Sequence, residues 1–218
     1  MFWSDEFNSD SLNLAKWDHR LLGERRDGVN VKEAITLGSD ELAITTSEVG
    51  QEYRTGMIGT QGIFETKYGY FEIRCKLQSE VGHWSAFWLQ SPLIGQDTTG
   101  NTKDYGAEID IFEYLGNEGD NIRSALHWNG YGEAQESEKT SNEIAGISSG
   151  YHTMGLLWDN EKYVFYVDGV ETWRTTQAIS QIEQYIILSV EVGTWAGDIA
   201  QATLPDSLNI DYVRVFKK

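Results

Sequence analysis

An all-β sandwich of two antiparallel sheets is the fold this sequence predicts. Strand-like runs are short and recur along the chain, with turn residues between them. No long helical period, low-complexity tract or internal repeat interrupts them. At 218 residues the chain can bury a substantial core as one domain, so residues 1–218 are read as a single unit.

The elements follow in order. Residues 42–46 (Leu-Ala-Ile-Thr-Thr) read as a strand. Residues 70–77 alternate, with Phe71, Ile73, Cys75 and Leu77 inward and Glu72, Arg74 and Lys76 outward. Residues 163–167 and 170–173 flank Asp168-Gly169, a favoured two-residue hairpin turn. Residues 185–192 and 208–216 supply two more strands, and a short helix is predicted over 178–184.

The remaining stretch, Glu108-Ile109-Asp110-Ile111-Phe112-Glu113, sets three carboxylates among three large apolar side chains. In a regular strand Glu108 and Asp110 share one face, while Phe112 joins them and Glu113 turns into the core. An unpaired buried carboxylate is expensive. One extra residue near Ile111-Phe112, a β-bulge, returns Glu113 to the acidic face. Glu108 and Glu113 are then about 13 Å apart at Cα, and their carboxyls about 5–6 Å apart after both side chains lean together. That spacing is near the roughly 5–5.5 Å of retaining glycosidases. Three like charges also oppose full ionisation, so one acid keeps its proton at neutral pH. The plainer alternative is the wet face of a half-exposed strand followed by a turn.

Composition narrows the partners. A formal charge of −17 excludes the basic footprint that nucleic acid or an anionic membrane needs. No apolar run approaches the length of a membrane span. One cysteine, Cys75, allows no intrachain disulfide, and four scattered histidines give no zinc spacing. The opening Met1-Phe2-Trp3-Ser4-Asp5-Glu6 lacks a basic and then apolar leader, as expected of a cytosolic chain or of a mature domain without its signal.

Tryptophans suggest what the acids act on. Trp84, Ala86 and Trp88 share a face of an extended segment, His127-Trp128 follows the acidic strand, and Trp195 sits in a glycine-flanked loop. Indole faces pack on the C–H faces of sugars, and carboxylates on a Trp-lined floor suit a polysaccharide. Trp88 reads equally as core or cleft. Trp195, on its loop, reads as cleft.

These residues resemble glycoside hydrolase family 16. The stretch 108–113 is similar to the bulged Glu-x-Asp-x-x-Glu signature of its laminarinase-like members. The resemblance extends through Phe2-Trp3-Ser4-Asp5-Glu6-Phe7, Lys67 to Arg74, Gly82 to Trp88 and Asp211-Tyr212-Val213-Arg214-Val215, nearly end to end. It implies a β-jelly-roll of the concanavalin A-like lectin/glucanase type and retaining endo-hydrolysis of β-linked polysaccharide. An endo-β-1,3-glucan of laminarin type is the first expectation; a β-galactan such as agarose, porphyran or an O-glycan backbone is the alternative. By position, Glu108 is the implied nucleophile, Glu113 the acid/base and Asp110 the helper. Trp84, Trp88, His127, Trp195 and Arg54 are expected to bind substrate, and Asp211 to hold a structural calcium. No catalytic cofactor is implied. A monomer is expected, extracellular or periplasmic, with no nucleic-acid or membrane partner. Met57, Ser85, Glu191 and the 193–198 loop depart from the family pattern around the cleft, so they bear on substrate choice. A sugar-binding module without turnover is the rival on the same fold, and transglycosylation would use the same covalent intermediate.

Overall fold

The computed structural model describes residues 1–217. Two sheets face each other across one core. The cleft sheet runs Glu136–Glu143, Asn121–Trp128, Glu108–Leu115, His83–Gln90, Gln184–Val192, Met57–Gly59, Asp18–His19. The outer sheet centres on Gly69–Lys76 between His152–Trp158 and Asp206–Phe216. Pairing is antiparallel throughout the described residues except where Gly28–Asn30 runs parallel to Glu52–Thr55.

Alternation decides which side chains meet. Phe71, Ile73 and Cys75 of the outer sheet and Phe87, Leu89, Ile109, Ile186 and Leu188 of the cleft sheet belong to one buried cluster. Burying each large apolar side chain contributes about 1.5–3 kcal/mol, so this cluster supplies the main drive for closing the two sheets. The other face of the cleft sheet carries Trp84, Ala86, Trp88 and Gln90 on one strand and Ser189 and Glu191 on the next.

The predicted strands at 42–46, 70–77, 163–167, 170–173, 185–192 and 208–216 fall within observed strands, apart from an end residue. The hairpin turn has positive φ at Asp168 (49°) and Gly169 (76°), as its type requires. The helix predicted over 178–184 does not form. Ala178 has a left-handed φ of 49°, and the carbonyls of Ala178 and Ile179 accept from Tyr163 Oη and Thr102 Oγ1. Tertiary hydrogen bonds thus hold the segment out of a helical path. Among the described residues no helix is long and apolar enough to cross a membrane.

Candidate active site

The acidic strand carries the expected bulge. Against Asn121–Trp128, Asp110 pairs with Ala125 but Glu113 with Arg123, three steps opposite two. Against His83–Gln90, Phe87 pairs with Phe112 and Trp88 with Asp110, so Ile111 is the extra residue. Ile109, Ile111 and Phe112 all enter the core, and Glu108, Asp110 and Glu113 all line the cleft. A bulge interrupts the ladder, and here Ser124 Oγ donates to the Ile111 carbonyl at 2.9 Å.

The cleft encloses about 770 Å³. On its floor, oxygens of Glu108 and Asp110 and a ring nitrogen of His127 lie within 4.8 Å of one another. His127 stands opposite Glu108 in register, with Nε2 3.4 Å from Asp110 Oδ2. Burial, then the charges of Glu108 and Glu191, push the Asp110 carboxyl well above its ordinary range. Burial, then Asp110 and Glu108, do the same to Glu113, which accepts no side-chain hydrogen bond among the described residues. Asp110 and Glu113 are therefore held toward their protonated forms.

Several residues singled out in the sequence come together at this cleft. Trp84, Trp88, His127 and Trp195 line the cleft with the three acids. Trp88 is both core and cleft: it is 9% exposed, packs with Met57, Ala86, Tyr185 and Ile187, and donates from Nε1 to Ser189 Oγ at 3.1 Å. Trp195 is 45% exposed and stands edge-on to Trp84, with ring centroids 5.2 Å apart.

Arg54 and Asp211 lie outside the cleft lining. The Arg54 guanidinium pairs with Glu52 at 3.0 Å on its own strand. Asp211 is ion-paired to Arg74. It joins no cluster of acids and histidines among the described residues.

Other cleft residues escaped the sequence. Gln90 and Tyr131 both hydrogen-bond Glu108 Oε2, at 3.1 and 2.5 Å. Glu191, nearly buried, is held by Arg25 Nη2 at 3.1 Å and Arg26 Nε at 2.6 Å. The Arg25–Gly28 turn reaches it because Asp27 N donates to Val192 O at 3.2 Å, and because Gly28 leaves only 3.0 Å between a would-be Cβ and Val192 Cβ. Extending the alternation of Trp84, Ala86 and Trp88 by one step would have found Gln90, and the same rule applied to residues 185–191 would have found Ser189 beside Glu191, which the sequence marked only as a departure from the family pattern. No local signal marked Arg25 or Arg26, which the turn up to Gly28 brings to the site, and Tyr131 reaches it from the loop that follows Trp128.

This arrangement has counterparts among known proteins. The family profile described as Glycosyl hydrolases family 16 matches residues 23–214. The Endo-1,3-1,4-beta-glycanase ExsH of Rhizobium meliloti (strain 1021) is 30% identical over 184 residues, covering 84% of this chain but only 37% of that protein. The chain thus spans little more than a third of that relative's length. The Beta-glucanase of Rhodothermus marinus is 26% identical over 246 residues, covering all of this chain and 85% of that one. The crystal structure of a laminarinase from Flavobacterium sp. UMI-01 superposes with a TM-score of 0.84 at 25% identity, covering 99% of both chains. With the bulged acidic strand, the two-sheet sandwich and a family match across most of its length, the chain belongs to glycosyl hydrolase family 16.

Proposed function

We propose that the chain is a retaining endo-hydrolase of β-linked glucan, with an internal β-1,3 linkage as its first substrate. The observation that carries this reading is the bulge, which brings Glu108, Asp110 and Glu113 onto one cleft floor with two of them biased toward protonation.

Glu108 attacks the anomeric carbon while Glu113, holding its proton, delivers it to the departing glycosidic oxygen. The C–O bond breaks as a covalent glycosyl-enzyme forms at Glu108. Glu113, now a carboxylate, takes a proton from water, and the resulting hydroxide equivalent releases the sugar and frees Glu108. Asp110, between the two in sequence and close to His127, tunes the charge on the floor. Trp84, Trp88 and Trp195 offer the apolar surfaces on which pyranose rings pack. Glucan-degrading relatives and a laminarinase-like fold support a glucan over a galactan. A polymer of this kind does not cross a membrane, so the work is assigned to the outside of the cell or the periplasm. All groups in the scheme come from one chain, and a monomer suffices.

The test is product analysis by chromatography on laminarin, lichenan, agarose and mucin glycans, for wild type, Glu108→Gln and Glu113→Gln. Oligosaccharides from laminarin are expected with wild type. Each variant is expected to lose at least roughly 10²-fold in rate while keeping its fold. Substantial turnover by Glu108→Gln would overturn the nucleophile assignment. Release from a galactan alone would keep the mechanism and replace the substrate. Binding with no release from any glycan would make the chain a sugar-binding module.

A further inference from the structure

The scheme above leaves a set of polar side chains at Glu108 without a task. Glu108 Oε2 accepts from Tyr131 Oη at 2.5 Å and from Gln90 Nε2 at 3.1 Å, whereas Oε1 accepts from no side chain among the described residues. Gln90 Nε2 also donates to Tyr131 Oη, closing a small ring of three groups around one oxygen.

Neither donor is left free to swing. Tyr185 Oη donates to Gln90 Oε1, which fixes which end of the amide faces Glu108. Arg20 Nη2 donates in turn to Tyr185 Oη at 3.3 Å, with its guanidinium carbon 4.8 Å from the centre of that ring. Each link donates toward the next, so a cation at one end and the Glu108 carboxylate at the other polarise the chain in one sense. Tyr131 comes from the loop after Trp128. That loop is pinned: Asn129 and Gly130 have φ of 63° and 71°, a Cβ on Gly130 would sit 2.6 Å from Asp97 O, and Asn129 Nδ2 donates to Ala134 O at 2.8 Å. Desolvation and the neighbouring Glu108 push the ionisation of the Tyr131 phenol upward, which keeps it a donor.

We propose that Tyr131 and Gln90 are positioning residues that anchor Glu108 Oε2 and thereby make Oε1 the oxygen that attacks the anomeric carbon. This rests on Glu108 being the nucleophile. A carboxylate with one oxygen clamped presents the other at a fixed angle, so the rotation that would misalign attack is already suppressed before substrate arrives.

The test compares kcat and KM of wild type, Tyr131→Phe, Tyr185→Phe and Glu108→Gln on laminarin. Tyr131→Phe is expected to lower kcat by roughly 10- to 100-fold, the worth of a hydrogen bond to a charged group. KM should change little. Tyr185→Phe, which frees the Gln90 amide, is expected to lower kcat in the same way but by less, again with little change in KM. Tyr131 is 47% exposed, so its phenylalanine variant should melt like wild type. If kcat stays put in both tyrosine variants, the inference is refuted while the proposed function stands. A rise in KM alone would also refute it, by making Tyr131 a sugar contact. Activity in Glu108→Gln would instead remove the nucleophile assignment on which it rests.

Discussion

Glu191 gives the sharpest stability prediction. It lines the cleft near the end of the Gln184–Val192 strand with its side chain 6% exposed, and it has two cationic partners, Arg25 and Arg26, that are 31% and 53% exposed. Removing one arginine leaves the other in place, and each partner is wet enough to be screened. Each single alanine variant should therefore cost about 1 kcal/mol. For Arg26→Ala, lost packing of the guanidinium over Trp84 at 5.1 Å adds to this. Removing both strands a nearly buried carboxylate, which costs about 3–4 kcal/mol after discounting for the exposed side of the site. At about 2–4 °C per kcal/mol for a chain of this length, the singles should lower Tm by roughly 3 °C and the double by roughly 10 °C. The assay is thermal melting at neutral pH, paired with urea unfolding to check that the slope is unchanged. Adding Glu191→Gln to the double variant should recover most of the loss, because the penalty belongs to the unpaired charge and not to the missing contacts. A double variant no worse than the sum of the singles, or a triple variant with no recovery, would refute this reasoning.

The two floor acids make stability depend on pH in a stated direction. Asp110 and Glu113 are raised in the folded state, so their contribution is fully present below the unfolded carboxyl range near pH 4 and is lost as pH rises through the folded values. The Asp110→Asn/Glu113→Gln variant should therefore show a flatter Tm against pH and gain on wild type between pH 5 and 8; parallel curves would count against it. Gly82 has φ of 80°, and a Cβ there would lie 2.1 Å from Ile199 Cα. Gly82→Ala should thus lower Tm by roughly 5 °C or more through strain and forced displacement, and an unchanged Tm would show that the 193–199 loop yields freely.

The acidic strand was legible because its chemistry conflicts with regular geometry: only an inserted residue keeps both Glu113 out of the core and Phe112 in it. Trp195 was legible from its flanking glycines. Arg54 and Asp211 were carried by resemblance alone, and each is neutralised by a partner, Glu52 and Arg74, that sequence distance hides or leaves ambiguous. Gln90 obeys a period-two rule, yet its role depends on Tyr185, 95 residues away. The 178–184 segment failed in the opposite sense, since local propensity was outweighed by hydrogen bonds from Tyr163 and Thr102. Glu136–Glu143 was invisible because it has no apolar member; register with Asn121–Trp128 alone makes it a strand.

That last strand has a consequence of its own. It ends the cleft sheet, where a row of unsatisfied backbone groups invites a foreign strand to dock. Its sequence, Glu-Ser-Glu-Lys-Thr-Ser-Asn-Glu, offers an incoming chain no greasy surface and repels another acidic copy of itself. Thr175 of the outer sheet also donates to Glu138 at 2.6 Å, tying the margin to the opposite layer. An open cleft leaves one flank of its sheet uncovered, and this composition lets that flank stay bare without becoming a seed for fibrils.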